Sequence, residues 1–236
     1  MKNAVEIQQD YYRQTARGYH DKHVREDDEQ MFALAWMNSL IEYYGIRSVL
    51  DVGAGTGRTL LWLKDRFPDL IIKGVEPVDA LREEGYKLGL SRDELVGGDG
   101  NKLNFKDGAF DLVCEFGVLH HVPAPQNMVG EMLRVAKKGI FISDCNNFGQ
   151  GGFLSRTLKQ ILNIFGLWGA YNFIRTKGKV YQISEGDGLF YSYSVYNNYR
   201  QIRNVCKAVH IMNSADSASR NAYAGASHVA LFGLKK

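Results

Sequence analysis

The segment Val49-Leu50-Asp51-Val52-Gly53-Ala54-Gly55-Thr56-Gly57 carries the clearest chemical signal in the chain. An apolar run that ends in glycines at every second position lets the backbone turn sharply, and a ligand can then lie against the main chain. By themselves the glycines fit a plain strand–helix connector or a dinucleotide site. Three details narrow the choice. The spacing is G-x-G-x-G, whereas the dinucleotide fingerprint is G-x-G-x-x-G. Asp51, two residues before the first glycine, would repel a pyrophosphate and welcome an ammonium group. Glu76 closes the next apolar run, placed to accept hydrogen bonds from ribose hydroxyls, a role acids also play in NAD sites. Together these describe a ligand with a ribose and a cationic tail.

A second chemical signal is the pair His120-His121, just after the apolar run Phe110–Phe116. That position is the carboxyl end of a strand, where open α/β sheets bind ligands. An ordinary imidazole pKa near ~6.5 suits a general base at neutral pH. The plainer alternative is a ring that bonds to backbone and shapes its loop. His20, His23, His210 and His228 have no such context and read as surface or packing residues.

These residues need a frame to hold them. Strands are expected at Val49–Val52, Leu70–Glu76, Leu95–Val96, Phe110–Phe116 and Gly139–Ser143, with helices at Arg58–Phe67, Val78–Leu88 and Pro125–Lys137 between them. Strands alternating with helices signal right-handed βαβ units on a parallel sheet, and continuous apolar runs fit strands buried on both faces. Two helices should precede the sheet. In the second, Phe32, Trp36, Leu40 and Tyr43 form one apolar face and Gly45 a C-cap. Residues 147–200 are rich in aromatics and glycine. They are expected to hold a helix (Leu154–Phe165) and a hairpin (Lys179–Ser184 and Leu189–Ser194) with Glu185-Gly186-Asp187-Gly188 as its turn. A further helix and two strands, Val209–Met212 and His228–Leu234, close the chain. One domain over 1–236 is expected, with 1–45 as N-terminal cap helices and 147–200 as a lid insertion.

Composition sets the outer limits. The 236 residues are 45% hydrophobic and 23% charged, which is globular. A net charge of +3 is too weak for a nucleic-acid footprint. Cys114, Cys145 and Cys206 are scattered singly, against a disulfide framework or zinc ribbon and in favour of a reducing compartment. No signal peptide and no apolar run of about 18 residues is present, so a cytoplasmic protein with no membrane partner is expected.

Taken in order, the motifs resemble the class I S-adenosylmethionine-dependent methyltransferases, in particular the small-molecule group called type 11. The resemblance covers residues 10 to 144. It rests on the turn 49–57, Gly74-Val75-Glu76-Pro77, Gly98-Asp99-Gly100, Phe110-Asp111-Leu112-Val113 running to Leu119-His120-His121-Val122, and Glu131-Met132-Leu133-Arg134-Val135. Ala136-Lys137-Lys138-Gly139 departs from it, where the family reads L-x-P-G-G. The resemblance implies a Rossmann-like α/β fold: a seven-stranded, mostly parallel sheet with an antiparallel last strand, helices on both faces, and here an aromatic-rich lid. It implies S-adenosyl-L-methionine as cofactor, with Gly53, Ala54, Gly55, Thr56 and Gly57 meeting its methionine part and Asp51 ordering that site. Glu76 would hold the ribose and Pro77 lie against the adenine. Asp99, beside Gly100, would bond the adenine amino group, Glu115 and Phe116 line the cofactor, and Tyr19 close over it.

The activity so implied is methyl transfer to an oxygen or nitrogen of a small-molecule acceptor, mainly by proximity. The resemblance would make His120 or His121 the base, as is proposed for such a histidine in some relatives, sometimes with an acid at the end of strand five, here Asp144. Lid aromatics such as Phe148, Phe190, Tyr191 and Tyr193 would wall an apolar or ring-bearing acceptor or bury the lid's own core. Asp144, Asn146 and Asn147 resemble a magnesium cluster, but no matching acid after strand four is evident, so no metal is expected. A nucleic-acid methyltransferase and a cofactor-binding protein without turnover are the alternatives; no nucleic-acid partner is expected, and the chain would be a monomer or homodimer.

Overall fold

The computed structural model describes residues 3–20, 28–215 and 219–236, so His23 lies outside the described residues. The strands are β1 (Ser48–Val52), β2 (Ile71–Val75), β3 (Leu95–Val96), β4 (Phe110–Phe116), β5 (Ala136–Cys145), β6 (Tyr181–Ser184), β7 (Gly188–Tyr191), β8 (Cys206–Asn213) and β9 (His228–Lys235). Seven of them form one sheet in the order β3-β2-β1-β4-β5-β9-β8, and β6 and β7 form a separate hairpin. Pairing is parallel from β3 across to β5, while β9 runs antiparallel to both its neighbours. This is the expected Rossmann-like sheet. Its strand order reverses between β1 and β4, and the crevice at their carboxyl ends is where such sheets bind ligands.

The helices are α1 (Ala4–Thr15), α2 (Glu29–Tyr43), α3 (Arg58–Arg66), α4 (Asp79–Lys87), α5 (Pro125–Val135), α6 (Phe153–Ile164), α7 (Trp168–Arg175), α8 (Tyr199–Val205) and α9 (Ala222–Gly225). Alternate residues of the strands feed two cores, one on each face of the sheet. Val113 and Leu231 join Met132 and Ile202 on one side; Leu112 and Phe232 join Leu34, Met37 and Leu60 on the other.

Two local expectations are corrected. The buried face of α2 is Ala33, Leu34, Met37 and Ile41, whereas Phe32 and Tyr43 are 56% and 82% exposed. The helix is apolar nearly all round, so two stripes fit the pattern, and the sheet takes the one with Leu34 and Met37. Gly45 does stand just past the helix, with φ 57°. At the second place, α5 ends at Val135 and β5 begins at Ala136, with no intervening turn. The segment that departs from L-x-P-G-G is therefore strand, and Lys138 anchors it by donating to the Gly45 carbonyl at 2.6 Å.

The Glu131-x-x-Arg134 motif braces this frame. Arg134 pairs with Glu131 and Asp107 and donates to the Leu103 and Phe105 carbonyls, pinning the loop that leads into β4.

Candidate functional site

The glycine turn leaves β1 with φ of 78° at Gly53, 56° at Gly55 and 84° at Gly57. The Gly53 and Ala54 amides donate to the Val75 carbonyl, and the Gly55 amide donates to Glu76 Oε2 at 3.0 Å. Glu76 Oε1 accepts from the Val78 amide at 2.8 Å. Two backbone donors thus fix the Glu76 carboxyl at the rim of the turn, and each oxygen keeps a lone pair. Burial pushes its pKa up to about 7, and that of Asp51 to about 6, against the lowering effect of their hydrogen bonds.

An inner cavity of about 250 Å³ lies over this turn, with a smaller one of about 100 Å³ adjoining it. Gly53, Gly55, Glu76, Pro77, Asp99 and Gly100 line the larger. Asp51, Ala54 and Thr56 line the smaller, and Tyr19 and Phe116 line both. A Cβ at Gly55 would stand 3.4 Å from the Tyr19 ring, so the aromatic from the N-terminal segment closes directly over the turn. Burial raises the Tyr19 hydroxyl to about 12.

Two residues expected here do not face either cavity. Gly57 caps α3, and a Cβ there would collide with Leu90 at 2.1 Å, so its role is packing. Glu115 is 0% exposed, turned inward beneath β4's end, where it accepts from the Val118 amide at 2.9 Å. Burial and the neighbouring Asp144 hold its carboxyl well above the usual range.

His120, His121 and Asp144 are brought together, but the two rings have different duties. His120 Nδ1 lies 2.6 Å from Asp144 Oδ1, and the His120 amide donates to Asp144 Oδ2. Nε2 on the other side of the ring lies 3.3 Å from Asp187. Burial would lower the His120 pKa, but the two carboxylates outweigh it and raise it to about 10. His121 holds the lid: its Nδ1 donates to the Leu189 carbonyl at 2.6 Å, and its Nε2 meets the Tyr12 hydroxyl at 3.0 Å.

Asp187 is the residue that sequence reasoning missed. It belongs to the turn between β6 and β7, seen in the sequence only as a loop. Gln8 of α1 fastens that turn, donating to the Asp187 carbonyl and accepting from the Leu189 amide. Asp187 stands between the two histidines, whose hydrogen bonds and charge hold its pKa far below the ordinary value despite burial. One ligand atom each from His120, His121 and Asp187 fall within 4.8 Å, a spacing that could hold a cation. Of the other histidines, His20 Nδ1 lies 3.1 Å from Thr56 Oγ1, and the part-exposed His228 pairs with Glu29 at 3.2 Å. His210 stacks on Phe232 at the surface, as expected.

Beyond His120 opens an outer cavity of about 820 Å³. His120, Asp187 and Gln30 line both it and the smaller inner cavity, so the two spaces meet at this cluster. Its wall corrects the expectation of an apolar acceptor pocket: Phe190, Tyr191 and Tyr193 contribute, but Gln150, Ser155, Lys159, Arg175, Gln182 and Ser192 share it. Lys159 and Arg175 meet no carboxylate among the described residues; they bond to the Asn147 and Gln150 carbonyls and to Asn172 Oδ1. Gln30 Oε1 and Asn147 Nδ2 are buried without a partner among the described residues, and both residues line this cavity. Buried amide atoms left open are rare in folded proteins, and a polar ligand in this cavity would supply the partner that both lack.

The raised His120 pKa fixes a pH dependence of stability. The fold favours its protonated form, so the stabilisation is complete below the ordinary 6.5 and is lost as pH rises towards about 10. Asp51 titrates below this range, while Glu76, raised to about 7, adds a fall of its own up to about pH 8. The melting temperature is expected to fall between about pH 8 and 10, and to fall less steeply there in His120→Asn. A slope unchanged by that substitution would show that the His120 pair does not carry it.

Comparison with known proteins gives the same region. Residues 50–143 match the family model described as "Methyltransferase domain". A phosphatidylethanolamine N-methyltransferase of Cereibacter sphaeroides is 34% identical over 107 residues, 43% of this chain and 51% of that protein. A malonyl-[acyl-carrier protein] O-methyltransferase of Geobacter sulfurreducens is 35% identical over 108 residues, 44% of this chain and 40% of that one. The matched segment thus spans 51% and 40% of these relatives' length. Among solved structures, magnesium protoporphyrin IX methyltransferase of Synechocystis PCC 6803, with bound SAH, superposes with a TM-score of 0.58 at 15% identity, covering 99% of this chain and 100% of that one. A SAM-dependent methyltransferase of Thermotoga maritima gives 0.59 at 18% identity, covering 98% and 99%.

Proposed function

We propose that this chain, which carries a class I S-adenosylmethionine-dependent methyltransferase domain of the type 11 family, methylates an oxygen or nitrogen of a polar small molecule seated in the outer cavity. The observation that carries this is the meeting of the two cavities at His120 and Asp187. S-adenosylmethionine is the cofactor of this family, and when bound it supplies the methyl group on an activated sulfonium.

The inner cavity fits that cofactor. A side chain at Gly55 would fill it, a doubly anchored carboxyl stands ready for a diol, and Tyr19 covers the turn. Gly53, Ala54, Gly55 and Thr56 with Asp51 would hold the methionine part. Glu76 would take the ribose, and Pro77, Asp99, Gly100 and Phe116 the adenine side. Residues 1–45 and 147–200 act as covers on a single domain.

His120 acts on the acceptor's proton. While Asp187 sits on Nε2, the ring is cationic and both its nitrogens are engaged, so it cannot serve as a base. An acceptor that displaces Asp187 removes one of the two carboxylates that raise its pKa. With that support gone the ring gives up its Nε2 proton to solvent, and the neutral Nε2 then receives the acceptor's proton, while Asp144 keeps hold of Nδ1 and stabilises the imidazolium that forms. His121 keeps the hairpin in place and is a positioning residue. Gln30, Asn147, Lys159 and Arg175 supply hydrogen bonds and positive charge to a polar, anion-bearing acceptor.

Incubation with S-adenosylmethionine and a panel of polar metabolites should release S-adenosylhomocysteine only where an acceptor is present. Cofactor binding with no turnover across the panel, and filter retention of tRNA that weakens with salt, would favour a nucleic-acid substrate instead. Glu76→Ala should weaken cofactor binding by about 1–3 kcal/mol, the cost of leaving ribose donors unpaired in a closed site. Calorimetry showing a change of only a few tenths of a kcal/mol would place the ribose elsewhere.

A further inference from the structure

Helix α6 is built inside out. Its protein-facing side is polar: Lys159 donates to the Asn147 and Gln150 carbonyls, Gln160 to those of Phe148 and Ala224, and Asn163 to the Tyr223 hydroxyl. The opposite stripe, Leu154, Leu158, Ile161 and Phe165, follows i, i+4, i+7, i+11 and is 82%, 49%, 46% and 73% exposed. A surface helix ordinarily does the reverse. The pattern continues through Leu167 into α7, where Phe173 and Ile174 are 54% and 76% exposed. Exposed apolar side chains gathered on two successive helices in this way mark a site of interaction.

Charge points to what covers it. Between Asp144 and Glu185 the chain has no acidic residue and five cations, Arg156, Lys159, Arg175, Lys177 and Lys179. Lys177 and Lys179 follow α7 directly and are exposed. An apolar helix face with an acid-free basic border fits an interface between acyl chains and anionic headgroups. We propose that α6 and α7 dock this chain on the surface of an anionic phospholipid bilayer. Leu154, Leu158, Ile161, Phe165 and Ile174 would enter the acyl boundary, and Lys177 and Lys179 would meet lipid phosphates. Lys159 and Arg175, from the same two helices, line the outer cavity, so docking sets that cavity's wall beside the headgroup layer. The proposal departs from the expectation of no membrane partner. No described helix is long and apolar enough to cross a membrane, but lying on one requires only a face.

Co-sedimentation of the full chain with phosphatidylcholine vesicles, with and without phosphatidylglycerol, tests this. The chain should pellet with the anionic vesicles, less so as salt rises. Leu154→Asp/Ile174→Asp should lower the bound fraction by about tenfold or more. Its melting temperature should not change, because both side chains are already exposed. Lys177→Glu/Lys179→Glu should remove the preference for phosphatidylglycerol. A wild-type chain that stays in the supernatant with both vesicles would overturn the proposal. So would a concentration-dependent dimer in sedimentation velocity that Leu154→Asp/Ile174→Asp dissolves, since a second copy would then be the cover.

Discussion

Gly55→Val is expected to abolish S-adenosylmethionine binding. Gly55 has φ +56°, a region that a β-branched residue enters only at a cost of roughly 1–2 kcal/mol or more. The new side chain would also project against the Tyr19 ring, 3.4 Å from where its Cβ must lie, into the space the cofactor needs. Strain and occlusion together should weaken binding by about 3 kcal/mol or more, over a hundredfold in Kd. Calorimetry with S-adenosylmethionine and S-adenosylhomocysteine measures it, with a melting curve to show that the variant is folded. Unchanged affinity in a folded variant would remove the glycine turn from the cofactor site.

The second large effect is expected at Asp144. This carboxylate is 1% exposed, and it binds the His120 ring and amide as well as the Cys145 amide. Asp144→Ala leaves a buried imidazolium with one of its two carboxylates gone, a change that costs about 3–5 kcal/mol of stability. Turnover should fall by about 10²–10⁴-fold, because the ring loses both its orientation and the charge that supports its protonated form. Asp144→Asn keeps the shape and separates the two effects. It should lose turnover with a smaller drop in melting temperature, while cofactor affinity is retained. Wild-type turnover in Asp144→Asn would mean that proximity alone carries the transfer.

What was legible in the sequence, and what was not, follows from the range over which each signal acts. The turn 49–57, Glu76 and the histidine pair are local patterns: strand, glycine, acid, loop. Their positions follow from how a parallel sheet must connect. Asp187 has no local signal. It reaches His120 only because Gln8 and His121 fasten the hairpin across the sheet's end, and such long-range pairings leave no spacing to read. The family resemblance put Glu115, next to the end of β4, in the site, but its side chain is fully buried and lines neither inner cavity. Aromatic richness suggested a lid core or an apolar pocket, yet Phe153, Phe165 and Phe173 point to solvent and the cavity wall is largely polar. Periodicity reveals that a helix is amphipathic; which face turns inward depends on its neighbours, here the open carbonyls that Lys159 and Gln160 satisfy.

The central claim is that the methyl donor and the acceptor meet at His120. A crystal structure with S-adenosylhomocysteine tests it most directly. The ribose should be held by Glu76, and the sulfur should face His120 and Asp187 at the mouth of the outer cavity. A sulfur directed away from that mouth, or a ribose bound without Glu76, would contradict it.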